Sequence, residues 1–129
     1  MRPELFALLP RNKFDTANAE AVVAAGYPAV EPLLPRLIEW LQDANWPVAR
    51  VLAPFLAGIG AHMEPHVRQV LQTTDEIWKY WVLECMVGSS SELRLLLQPE
   101  LERIAFNPTE GEAGEELNVL AQSLLHGAA

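Results

Sequence analysis

The sequence predicts an all-α chain, folded as a short α-solenoid of about six to seven helices in antiparallel pairs. Three observations predict it. Apolar residues recur at helical spacing, ten prolines punctuate the chain where one such stretch gives way to the next, and a helix-pair pattern at 30–55 returns at 63–87. Proline fits a helix's first turn, where its missing N–H would have had no intrahelical partner. No strand pattern competes.

The elements follow in order. Phe14 and Asp15 read as a hydrophobic staple and an N-cap before a helix at 16–25, which Gly26 ends. Pro28 opens the stretch GYPAVEPLLPRLIEWLQD, in which Val30, Leu34, Leu37, Ile38 and Leu41 share one helical face and Pro32 and Pro35 make the first turns irregular. Helices are expected at 46–59, 64–73, 76–87, 91–106 and 112–125, with Pro99 breaking the one at 91–106. Thr109 stands three residues before Glu112 in a capping-box pattern, and SSSE at 89–92 offers a second. Asn107 and Pro108 stop the helix before them, because a residue preceding proline is pushed out of helical conformation. Short connections imply antiparallel neighbours.

The repeat is visible residue by residue. LQDANWPVARVLAPFLAGIG at 41–60 overlays LQTTDEIWKYWVLECMVG at 71–88, with Asp43 on Asp75, Trp46 on Trp78, Val51 on Leu83 and Phe55 on Val87. Further back, Glu31, Pro32, Leu34 and Leu37 fall on Glu64, Pro65, Val67 and Val70, and a weaker third copy begins at Pro99. This reads as helix pairs that bury their apolar faces only by stacking. In that frame Asp43 and Asp75 cap the second helix of each pair, and Trp46 and Trp78 lie at its first turn, wedged between successive pairs.

The pattern of L-x-D, a short gap, W-x-V and an apolar helix ending in I-G resembles HEAT-type repeats, over 28–88 and more loosely over 99–125. LLPRNKFD, GYPAVEPLLPRLIEWLQDANWPVA, EIWKYWVL and PELERIAFNPTEGE together are similar to a bacterial domain-of-unknown-function family of small helical proteins with HEAT-like repeats. The resemblance spans nearly the whole chain and implies the fold. It carries no established activity.

At 129 residues the chain suits one domain over 1–129, since chains of this size bury roughly two-thirds of their unfolded surface. No apolar run approaches the ~18–20 residues of a membrane helix, and LFALL is too short for a signal-peptide core, so a cytoplasmic protein is expected. The lone Cys85 excludes an internal disulfide and reads as a buried, inert thiol. A net charge of −8 disfavours nucleic acid, whose binding requires a basic surface. The C-terminal half is the more acidic, and Glu110, Glu112, Glu115 and Glu116 read as a solvated helix N-terminus.

Within EIWKYWVLECMVG, apolar on almost every side, Glu84 is expected to be buried and paired with Arg50 one repeat earlier. His62 and His66 straddle Pro65 and do not read as a metal pair, and no phosphate loop, serine elbow or cysteine pair occurs in the sequence. No catalytic constellation, cofactor or metal is expected. The leading functional expectation is a non-enzymatic module that binds a protein or peptide, with Trp46, Arg50, Trp78, Lys79 and Glu84 as its contacts. The alternatives are a small-molecule pocket around Tyr27, Trp40 and Trp81, whose rings otherwise read as core, and a toxin-neutralising immunity protein. A DNA-repair enzyme of HEAT-like type is disfavoured by the acidity.

Overall fold

Proline placement sets the first elements. The computed structural model describes residues 3–126, beginning with the single turn α1 (Pro3–Phe6) and α2 (Thr16–Ala25). Asp15 caps α2 by accepting the Asn18 N–H, and Gly26, at φ 75°, ends it. Phe14 is 68% exposed, so the expected staple is not formed. Asn18 instead ties the N-terminal segment down, its amide donating to the Ala7 and Leu9 carbonyls.

The next stretch is less regular than expected. A 3₁₀ turn (Glu31–Leu33), α3 (Leu34–Leu37) and a second 3₁₀ segment (Ile38–Gln42) replace one continuous helix. Pro32 and Pro35 withhold N–H donors in successive turns, which favours tighter local pairing. Its apolar face survives the irregularity: Val30, Leu34, Leu37, Ile38 and Leu41 are all buried.

α4 (Pro47–Ile59) starts where Pro47 permits. It carries Pro54 in its interior on the solvent side together with Arg50, whose carbonyl lacks an N–H partner in the helix and faces water. A 3₁₀ turn (Gly60–Met63) leads into α5 (Glu64–Leu71) and then α6 (Glu76–Cys85). Beyond a 3₁₀ turn (Val87–Ser89) come α7 (Ser91–Leu96), α8 (Gln98–Phe106), α9 (Glu110–Gly114) and α10 (Leu117–His126).

Two further expected helices are each split, so the helical segments exceed the six to seven anticipated. The 91–106 helix breaks at Leu97, just before Gln98 and Pro99. The final helix breaks at Glu115 and Glu116, the latter at φ 58°, after the weak helix former Gly114. No strand occurs among the described residues, so the chain is all-α as expected.

One contiguous apolar core joins these elements. α2 packs on α4, α4 on α6 and α6 on α10, while α6 also meets the Ile38–Gln42 segment and α5. The central place expected for α6 is what these contacts give it. Its covering is less complete, because Ile77 and Tyr80 are 50% and 36% exposed and Glu84 is exposed too. No described helix is long and apolar enough to cross a membrane.

Candidate functional site

The repeat-related tryptophans occupy different positions in their helices, and one residue explains why. Asp75 caps α6 through the Trp78 N–H at 3.1 Å, placing Trp78 inside the first turn. At the equivalent point in the first copy, Trp46 precedes Pro47 and is held extended at φ −64°, ψ 138°. α4 therefore begins later, with Trp46 at its cap position. Asp43 accepts the Asn45 N–H at 2.9 Å in a local turn, and the Val48 N–H is satisfied by the Lys13 carbonyl at 3.1 Å.

Of the two, Trp78 bridges to a distant segment of the chain. Its indole N–H donates to the Ile38 carbonyl at 3.1 Å, crossing from α6 to the 3₁₀ segment Ile38–Gln42. Trp46 packs locally, edge-on to Trp40 with ring centroids 5.9 Å apart and planes at 75°. Both aligned indoles are half-buried against the core.

Each indole lines a recess, and the two recesses share Glu39. One, of about 220 Å³, lies between Pro35, Ile38, Glu39, His66 and Trp78. The other, also about 220 Å³, is formed by Glu39, Trp40, Gln42 and Trp46. The 3₁₀ geometry of Ile38–Gln42 sets Glu39 on the exposed side while Ile38 and Leu41 enter the core.

A second feature is a charge cluster where α6, α8 and α9 meet. Glu112 is fully buried, and its carboxylate accepts from Lys79 Nζ at 2.9 Å and from Arg103 Nη1 and Nη2 at 3.0 and 2.9 Å. It also accepts the Thr109 N–H at 2.9 Å, completing the capping box. Burial, the largest influence, pushes the Glu112 carboxyl up; the Arg103, Lys79 and Thr109 hydrogen bonds together outweigh it and hold it at about 2. Burial likewise lowers Lys79, but Glu112 and Glu76 raise it on balance, so the ammonium stays protonated at neutral pH. Glu76 Oε1 lies 2.9 Å from Lys79 Nζ as an ion pair without hydrogen-bond alignment. A groove of about 570 Å³ opens over the cluster, lined also by Thr73, Thr74, Glu100 and Gly111.

The expected site residues thus fall in different settings. Arg50 and Glu84 are exposed on α4 and α6, and no ion pair joins them among the described residues, so the expected buried pair gives way to two solvated charges. The buried charge of α6 is Lys79, 2% exposed and committed to carboxylates rather than turned toward a partner. Tyr27, Trp40 and Trp81 pair with three different rings: Tyr27 stacks on His62, while Trp40 and Trp81 meet Trp46 and Tyr80 edge-on. Cys85 is half-buried, its thiol pushed up by burial and then by Glu84. Burial lowers His66 at the Trp78 recess.

Glu112 was legible only as a cap. Its spacing from Thr109 identifies the capping box, but the acidic run around it reads as solvated, and the structure corrects that reading for this one residue. Glu110, Glu115 and Glu116 are exposed as expected. Arg103 and Glu39 carried no signal beyond their charge.

No curated protein matches the sequence. A family described as a domain of unknown function, DUF5071, matches residues 8–125. That stretch runs from the segment before α2 to the last turn of α10, and the chain belongs to the DUF5071 family.

Proposed function

We propose that the chain is a non-enzymatic interaction module of HEAT-like, bacterial type that binds a protein or peptide partner. The observation that carries this reading is the pair of recesses on either side of Glu39, each walled by a half-exposed indole of the repeat. Tryptophan is enriched at binding hot spots because it combines large apolar area with a polar N–H. The succession of α2, α4, α6 and α10 supports a row of stacked second helices, and such rows form extended binding surfaces. Arg50, Ile77, Tyr80 and Glu84 on the outer faces of α4 and α6 add a mixed apolar and charged surface to it.

The test is affinity capture from a lysate of the native host, using the wild type beside Glu39→Lys and Arg50→Glu. Both substitutions fall on exposed side chains, so melting temperatures should be unchanged. A stoichiometric protein retained by the wild type and lost by Glu39→Lys is the expected result. Recovery of no such protein, or equal recovery by all three, overturns the reading.

A further inference from the structure

We infer that the corner between Trp40 and Trp46 is a binding site for an organic ammonium group, presented as a lysine side chain by the protein partner. The two indole planes meet at 75° with centroids 5.9 Å apart, so they wall two sides of one recess. A cation is attracted to an indole face when it lies within about 6 Å of the ring centroid. Because both rings line the recess, a group seated in it lies against each of them. Glu39 supplies a carboxylate at the rim and Gln42 an amide, and none of the four lining residues is basic.

Size and charge narrow the ligand class. At about 220 Å³ the recess is smaller than the roughly 300–1,000 Å³ of pockets that enclose whole drug-sized molecules, so it suits a single head group. Among the described residues no lysine or arginine forms an ion pair with Glu39, which leaves its charge for a guest. The chain's net charge of −8 also favours a basic partner over an acidic one. Aromatic walls with a carboxylate retain an ammonium group and give a neutral group of the same shape no comparable advantage.

The inference rests on the interaction-module reading for the source of the lysine, and its test separates the two. The four tryptophans give four indole N–H signals in a ¹H–¹⁵N spectrum, assigned by single Trp→Phe variants. Tetramethylammonium chloride, a blocked lysine (N-acetyl-lysine-N′-methylamide) and the neutral isostere tert-butanol are titrated separately at ionic strength matched with sodium chloride. The expected result is a saturable shift of the Trp40 and Trp46 signals with both ammonium ligands, roughly millimolar in affinity, with Trp81 unmoved and tert-butanol without effect. Glu39→Gln should weaken the ammonium ligands about fivefold while leaving the melting temperature in place.

Equal shifts with tert-butanol, no saturation, or equal movement of all four indoles overturns the ammonium site. Saturable binding of tetramethylammonium with none of blocked lysine overturns the lysine assignment. Saturable shifts with both ligands, combined with no captured protein, preserve the site and remove the module reading. A captured partner without any ammonium response does the reverse.

Discussion

Lys79 Nζ lies 2.9 Å from Glu112 Oε2, joining α6 to α9 at side-chain exposures of 3% and 0%. Removing one partner of a buried pair strands the other charge, at a typical cost of about 3–5 kcal/mol. Glu112→Ala should fall in that range, because both Lys79 and Arg103 lose their acceptor. Lys79→Met should cost less, since the Arg103 guanidinium still holds Glu112 through two bonds. Urea unfolding of the two variants checks the order.

Acid should loosen the same cluster. The Glu112 carboxyl is at about 2 in the folded chain, below its ordinary 4.5. A depressed folded value contributes stability above the unfolded pKa, and that contribution disappears as pH falls through the folded one. The loss therefore spans about pH 4.5 to 2 and amounts to roughly 3 kcal/mol. Glu112→Gln should flatten the stability profile in this window, as read from denaturation midpoints at successive pH values. Lys79, raised in the folded chain, gives the opposite dependence, losing its contribution as pH rises above its ordinary 10.5.

The two aligned tryptophans should respond unequally to phenylalanine. Trp78→Phe removes the indole N–H that reaches the Ile38 carbonyl, together with part of a packed ring. A loss of about 1–2 kcal/mol is expected. Trp46→Phe sacrifices ring area in a local contact with Trp40, and its cost should be smaller. Thermal melts of the two variants measure the difference.

Gly58 and Gly60, two positions apart in the chain, should give opposite signs when changed to alanine. Gly58 lies inside α4, exposed, with nothing within 4 Å of an added Cβ. Gly58→Ala should stabilise by about 0.5–1 kcal/mol. Gly60 has φ +72°, and an added Cβ would run into the Glu92 carboxylate, which accepts the Ala61 N–H at 2.6 Å. Gly60→Ala should destabilise by about 1–3 kcal/mol. Chemical denaturation of both variants is the check.

Local signals in the sequence located most boundaries. Asp15 before α2, Asp75 before α6 and the Thr109–Glu112 box before α9 all form the caps their spacing announces. These succeed because a cap is an interaction within a few residues of chain. Asp43 shows the limit of repeat analogy. Its alignment with Asp75 predicts the same cap, but Pro47 stands where the second copy has Lys79, and the pre-proline restriction delays the helix. Ser90 rather than Ser89 caps the start of α7, which puts Leu93 in place of Glu92 at the third helical position and leaves no capping box.

The all-α class, the apolar faces and the placement of helix starts were set by the sequence itself, since periodicity, caps and prolines act over a turn or two. Which charges went inside was decided only by the tertiary structure. Glu84 and Lys79 share one helix, yet Glu84 faces water while Lys79 meets Glu112 of α9, a carboxylate it shares with Arg103 of α8. A buried ion needs partners on several sides, and those partners come from segments far apart in the chain. The recess between Glu39 and Trp78 has the same origin, because Trp78 reaches the Ile38–Gln42 segment only once α6 is packed against it.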